Sequence, residues 1–446
     1  MATRIIAGWY LTGQEKGYPA VNFNFPTIDS GPLNLHVDVQ GDHYKGIREM
    51  GAASTILLKN TKGALPLKKP TNFHLGSDAA PPLRGPNGFT DRAGVDGTLA
   101  MAWGSGTTEF PYLISPLEAL QARAKEDHTS ISWHTLDWDT AGAKTRAANK
   151  DVAIVFINSD SGEGYLTVDG NRGDRNNLTA WNNGDNLVQE VASVNSNTVV
   201  VVHSVGPIVM EPWIDNPNIT AVVWAGLPGQ ESGNALVDVL YGAVNPSAKL
   251  PYTIAKQRSD YGTDVLYDGD GIPHIPYSEG YYSDSSLIIV TLTRFPFGFG
   301  LSYTTFSYGN LRVSKSTKAS TGSEASGWEA GKVAANVKGA SLAPWLHAPY
   351  YEVSFDIKNT GQVAGYEVPQ LYIQAPTSAN SPPNQLRGFT RVALKAGQTK
   401  RVTLALSRYD LSVWDVARQG WAKMNGQVGV TVGASSRDFR LKGTFA

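Results

Sequence analysis

The stretch best suited to chemistry is Ser159-Asp160-Ser161-Gly162-Glu163-Gly164-Tyr165. Glu163 stands between two glycines, so the backbone can turn sharply on either side and leave the carboxyl group uncovered. A carboxyl presented in this way suits a general acid/base. The commonest fate of a Glu is a solvated loop position, so the surrounding fold has to decide between the two. Asp160, Asp169 and Asp174 offer a calcium loop as a second reading, but no Glu stands where the bidentate ligand of an EF-hand belongs. Ser105, between Gly104 and Gly106, lacks the Gly-x-Ser-x-Gly elbow and an assignable Asp/His pair. It reads as a hydroxyl that binds substrate or backbone. The run from Gly226 to Gly233 precedes a helix but lacks the Lys-Ser/Thr of a phosphate loop, so it reads as a turn with tight packing. The eight His residues show no metal-ligand spacing, and no metal site is predicted. Asn177-Leu178-Thr179 and Asn218-Ile219-Thr220 are N-glycosylation sequons, which matter in a secreted protein.

The elements around Glu163 can be read from periodicity. Val152-Ala153-Ile154-Val155-Phe156-Ile157 is a continuous apolar run of strand length, and a long polar loop follows it through Asp169, Arg172 and Asp174 to Trp181. Open α/β sheets bind ligands past the carboxyl ends of their strands, and this loop occupies such a place. Tyr165 and Trp181 are aromatic candidates to wall a sugar site. Ser115-Pro116-Leu117-Glu118 predicts a capped helix start. Strands at 130–134, 152–157, 198–203 and 219–224 alternate with helices near 140–149, 185–194 and 231–241, which predicts a mostly parallel sheet covered on both faces. After about Leu250 the pattern becomes irregular, and 314–341 is rich in Ser, Ala, Gly and Lys, the composition of a linker or insertion. From Tyr351 apolar residues alternate with polar ones and turn signals separate the runs, predicting an antiparallel β-sandwich.

Composition narrows the functional classes. The formal net charge is -1, which gives no electrostatic case for nucleic acid or an anionic membrane. No apolar run approaches the ~18 residues that suggest a spanning helix. Cysteine is absent, which excludes disulfides and thiol chemistry. The 11 Trp and 19 Tyr suit sugar faces, although packing accounts for most aromatics. Ile5, Ile6, Trp9 and Tyr10 form an apolar helical stripe without the features of a signal peptide, and it reads as the tail of something larger.

Several stretches together carry a resemblance. They are Gly51 to Asn60, Trp103-Gly104-Ser105-Gly106-Thr107, Ser159 to Asn177, Gly229 to Leu236, Asn245 to Pro251, Phe297 to Phe306 and Leu411 to Asp415. The chain resembles the C-terminal half of fungal β-glucosidases of glycoside hydrolase family 3. The resemblance implies an α/β plus all-β fold, in which residues 1–16 are the last helix of an absent TIM-like barrel and 17–41 are a linker. It places the α/β sandwich at 42–251, an irregular linker and insertion at 252–346, and a fibronectin type III-like domain at 347–446. It further implies retaining hydrolysis of terminal β-glucosyl residues, such as those of cellobiose, by a secreted enzyme without cofactor or metal. Glu163 then matches the acid/base, Ser105 and Tyr165 match sugar-pocket positions, and the nucleophile is an Asp of the barrel half, the expected partner. A β-xylosidase of the same family and a non-catalytic glycan- or partner-binding module are the alternatives. Phe89 and Gly94 stand where many fungal relatives carry a cysteine pair, so packing and hydrogen bonds are expected to hold loop 89–100.

Overall fold

The computed structural model describes the chain except at residues 25–29, 84, 87–96, 103–106, 109, 163–166, 169, 173, 267–268, 270, 279, 281–292, 333–342 and 446. Glu163, Tyr165, Ser105, Phe89 and Gly94 therefore lie outside the described residues. The chain divides into Met1–Gly46 and Ile47–Ala446. In the first unit, helix α1 (Ala2–Leu11) buries none of its residues, and Trp9 Nε1 donates to the Tyr18 hydroxyl at 3.0 Å. Helix α2 (His43–Ser54) runs across the division.

In the second unit the first structure is an α/β sandwich. Its strands are β1 (Ile56–Asn60), β2 (Asn72–Leu75), β3 (Ser130–Trp133) and β4 (Val152–Ser159). A two-residue hairpin, β5 (Thr167–Val168) and β6 (Asn171–Arg172), precedes β7 (Thr198–Ser204) and β8 (Ile219–Trp224). The six-stranded sheet has the order β1-β8-β7-β4-β2-β3, with β1 antiparallel to β8 and the other pairs parallel. Every residue of β4, β7 and β8 is buried, which explains why these strands centre on continuous apolar runs rather than alternating ones. Helices α3 (Pro116–Asp127) and α6 (Ser232–Leu240) pack Leu120 and Leu236 on one face. On the other face α4 (Thr140–Ala147) and α5 (Gly184–Ala192) pack Ala143, Leu187 and Val191.

The sequence signals at α3 are realised as a capping box: the Ser115 amide donates to Glu118 Oε2 at 2.8 Å, and the Glu118 amide donates to Ser115 Oγ at 3.3 Å. Gly233 shows why the Gly-rich run before α6 is needed. A Cβ there would sit 2.1 Å from the Ser115 carbonyl oxygen, so only glycine allows α6 this close to the start of α3.

The β-sandwich starts earlier than 347. Following the small pair β9 (Ile254–Ala255) and β10 (Thr293–Phe295), β11 (Phe306–Lys315) is an outer strand of a three-stranded sheet. That sheet is completed by β12 (Pro349–Asn359) and β17 (Thr399–Ser407). The stretch expected to be linker also holds helix α7 (Ser323–Glu329), where the Trp328 ring is buried and its Nε1 donates to Ser412 Oγ at 2.9 Å. Composition missed this helix because two residues one turn apart, Ala325 and Trp328, carry all its burial. Short helix α8 (Pro344–His347) leads into β12. Two small pairs, β13 (Gly365–Glu367) with β16 (Val392–Leu394) and β18 (Ser412–Asp415) with β19 (Gly420–Lys423), accompany the opposing sheet, whose strands β14 (Gln370–Gln374), β15 (Gln385–Phe389), β20 (Gly429–Gly433) and β21 (Phe439–Thr444) take the order β15-β14-β20-β21. Their inward residues, among them Phe355, Leu371, Ile373, Val430 and Val432, form a separate core.

The α/β sandwich and the β-sandwich are tied together by buried amides. Asn245 Nδ2 donates to the Ala364 carbonyl at 3.0 Å, while its Oδ1 accepts from the Tyr303 amide at 2.8 Å. Gln370 Nε2 donates to the Gly298 and Ala434 carbonyls, both at 3.0 Å.

Candidate active site

Strand β4 ends at Ser159, at the carboxyl edge of the parallel sheet and in register with Ser204 of β7. Gly162 follows within three residues and Glu163 is next. The described residues show how the two ends of this loop are held. Ser161 Oγ donates to Asp174 Oδ1 at 3.0 Å and closes the neck across thirteen residues. The Asn176 amide donates to Asn171 Oδ1 at 2.9 Å, tying the return to the β5/β6 hairpin. Arg175 Nη1 donates to the Pro207 carbonyl at 2.9 Å and to Ser159 Oγ at 3.3 Å, so the return is also anchored to the end of β4. From outside the loop, Arg258 donates through Nη1 to the Asn176 carbonyl and through Nε to Asp264 Oδ1 at 2.9 Å. Between the loop base and residues 258–265 lies a cavity of about 500 Å³ lined by Ser161, Asp174, Arg175, Arg258, Tyr261 and Asp264, among others.

Trp181 does not wall a site. It is 2 % exposed, and its amide donates to the Asn158 carbonyl at 2.9 Å. The ring is buried rather than open to a site, which corrects the expectation of an aromatic wall there. Of the three acidic residues of the calcium reading, Asp169 lies outside the described residues, and the other two are engaged at the loop neck. Asp160 takes the Ser161 amide and Asp174 takes the Ser161 hydroxyl, so the two carboxyls serve different bonds of one residue. Among the described residues no group of three or more His, Asp or Glu is placed to hold a metal ion.

The carboxyl edge holds several buried ionisable groups. Burial pushes the Asp160 carboxyl up to about 8, against the opposing pull of the Ser161 amide and Arg175. Burial, reinforced by the neighbouring Asp137 carboxyl, raises Asp78, which follows β2. Burial lowers His203 of β7 to about 4, and its ring stacks on Phe156 at 6.3 Å. Sequence reading singled out Asp160 only as a possible calcium ligand and passed over Arg175, Arg258, Asp78 and Asp137. The one available signal was position, since Asp160 directly follows an unbroken apolar strand.

The two sequons differ in geometry. Asn177 is exposed, and its Oδ1 accepts from Thr179 Oγ1 at 2.9 Å, leaving the amide nitrogen directed away from that bond. Asn218 is half-buried, and its Nδ2 donates to the Ala192 carbonyl at the end of α5 at 2.8 Å. Thr220 is buried in β8.

An α/β sandwich with a tethered, glutamate-bearing loop at its carboxyl edge, followed by a fibronectin-like β-sandwich, defines a chain of the α/β-plus-β class. Comparison with known proteins gives the family. Residues 55–303 match the glycosyl hydrolase family 3 C-terminal domain and 367–436 match a fibronectin type III-like domain. The chain belongs to glycosyl hydrolase family 3. It is 50 % identical over 452 residues to a probable beta-glucosidase L of Aspergillus fumigatus, covering 100 % of this chain and 58 % of that protein. It is 45 % identical to beta-glucosidase cel3A of Pyricularia oryzae, over 99 % of this chain and 58 % of the relative. Among solved structures, beta-D-glucoside glucohydrolase from Trichoderma reesei superposes with a TM-score of 0.86 at 44 % identity, covering 100 % of this chain and 59 % of that one. The chain thus spans about three-fifths of the length of the relatives it matches.

Proposed function

We propose that this chain supplies the general acid/base of a retaining β-glucosidase, with Glu163 in that role. The observation that supports it most directly is the Ser161–Asp174 bond, which closes the neck of the Glu163 loop at the carboxyl edge of β4. The relatives' names supply the substrate class. In the first step Glu163 protonates the glycosidic oxygen as the aglycone leaves. In the second it takes a proton from the water that hydrolyses the glycosyl-enzyme. The nucleophile is an Asp of the N-terminal barrel half, which lies about 5 Å from the acid/base in retaining enzymes. A carboxyl in this role needs a pKa raised into the range where it can donate, and the negative charge of the nucleophile acts in that direction. Ser105 and Tyr165 contact the sugar in this reading, and the chemistry needs neither metal nor cofactor. Combining the chain with the N-terminal half of a family relative and measuring hydrolysis of an aryl β-glucoside tests the proposal.

We also propose secretion, with a glycan at Asn177. A glycan on Asn218 would break the amide bond to Ala192 at a half-buried position, so Asn218 is expected to be unmodified. Peptide mass mapping of the chain secreted from a fungal host checks this. A modified Asn218 beside a bare Asn177 would contradict the assignment.

A further inference from the structure

Asp160 is the first residue beyond β4 and is 1 % exposed. Its Oδ1 accepts from the Ser161 amide at 2.7 Å, while Oδ2 has no hydrogen-bond partner among the described residues. Nor does any Lys or Arg among the described residues form an ion pair with it. Its two neighbours hold the loop: Ser159 Oγ accepts from Arg175, and Ser161 Oγ donates to Asp174. Asp160 therefore fixes the backbone between two anchoring side chains, three residues before Glu163.

A carboxylate buried with one amide bond and no ion-paired cation among the described residues is costly. A neutral carboxylic acid in the same place still accepts the Ser161 N–H and costs less than the buried charge, although its O–H finds no acceptor among the described residues. We propose that Asp160 is a positioning residue for Glu163, a buried neutral acid that fixes the first turn of the acid/base loop and loosens it on losing its proton. The positioning part rests on the acid/base reading of Glu163, whereas the buried proton does not. Burial, which raises Asp160 to about 8, agrees with the geometry. The charged group that reaches it is Arg175, which acts in the opposite direction. Other titratable groups at this edge are His203 of β7, beside Asn158 in register, Asp78 beyond β2 with its neighbour Asp137, and Asp174, which accepts the Ser161 hydroxyl; burial favours the neutral form of His203, Asp78 and Asp137.

The sign follows from proton linkage. Between the ordinary carboxyl range near pH 4 and the folded-state value near 8, the folded chain holds a proton that the unfolded chain has lost. Stability from this site is full below that window and falls as pH rises through it. Asp160→Asn keeps the size and the Oδ1 acceptor but cannot titrate. Thermal unfolding of the chain and of this variant, at steps from pH 5 to pH 8.5, isolates the site because Asp78, Asp137 and His203 titrate in both. Expected is a Tm that falls several degrees further in the unsubstituted chain than in Asp160→Asn. Parallel curves, or a variant that loses stability preferentially at high pH, would overturn the buried proton.

The positioning arm uses the chain completed by a family N-terminal half. Asp160→Asn is expected to move the alkaline limb of kcat upward in pH, and Asp160→Ala to lower kcat on the order of 10–100-fold through displacement of the loop. An unmoved alkaline limb overturns the positioning role. If the unsubstituted mixture is inactive, the acid/base reading fails and the positioning role with it, while the Tm difference still decides the buried proton.

Discussion

In the completed enzyme, Glu163→Gln is expected to leave glycosylation by substrates with good leaving groups nearly intact and to slow those with poor leaving groups by about 10²–10⁴-fold. The asymmetry follows from the chemistry. An aryloxide of low basicity departs without a proton, so the first step does not feel the loss of the acid. An alkoxide such as the sugar leaving from cellobiose needs that proton in the transition state. Hydrolysis of the glycosyl-enzyme requires the same residue as a base, so the variant should also accumulate the covalent intermediate with activated substrates. A leaving-group series gives the readout: a steep dependence of kcat/KM on leaving-group pKa in the variant, against a shallow one in the parent. An equal loss across the series would show that Glu163 acts in some other way.

Asn359→Ala is expected to destabilise the β-sandwich by about 3–4 kcal/mol, one of the larger effects a single polar substitution can have. Asn359 closes β12, is 0 % exposed and uses its whole amide. Oδ1 accepts from Thr304 Oγ1 at 2.6 Å and from the Gly361 amide at 3.1 Å, while Nδ2 donates to the Val363 carbonyl at 2.8 Å and the Leu394 carbonyl at 3.2 Å. Truncation leaves buried donors and acceptors unsatisfied on three separate segments, which costs more than the bonds contributed net. Thr304 precedes β11, so the residue also couples the end of the α/β sandwich to the first strand of the β-sandwich. Scanning calorimetry should show the loss, while Lys358→Ala, exposed beside it, should stay within about 0.5 kcal/mol of the parent. A small effect for Asn359→Ala would mean that neighbouring groups or water satisfy the freed partners.

The parts of the fold legible in the sequence are those where one physical term dominates. Val152 to Ile157, Thr198 to His203 and Ile219 to Trp224 lie in strands buried on both faces, the environment in which a sheet covered by helices gives near-continuous apolar runs. The helix at Ser115 was legible because its cap is local. Strand β2 was not read, although it lies between β3 and β4 in the sheet. Its four residues include Asn72 and His74, and only the pairing partners make it a strand. Strand β11 escaped because its alternation slips at a bulge between Gly309 and Arg312, where Asn310 takes φ 54°. Trp181 was misplaced because an aromatic residue in a polar loop looks the same in sequence whether it meets ligand or core.

The candidate site was legible in a different way. Position after a buried strand and flanking glycines pointed to Glu163, and the resemblance supplied its role. The stitching of the loop was invisible, since Arg175 and Arg258 reach carbonyls of residues 32 and 82 positions away in sequence. Asp160 has a neutral carboxyl only because the fold buries it, and no local pattern in the chain encodes that burial.

Hydrolysis of an aryl β-glucoside by this chain alone, and then with the N-terminal half of a family relative added, tests the central claim most directly. The account predicts no turnover by the chain alone and turnover on mixing, abolished for poor leaving groups by Glu163→Gln. Turnover by the isolated chain that survives rigorous purification would place the nucleophile within these 446 residues and contradict the assignment of Glu163 as one half of a divided active site.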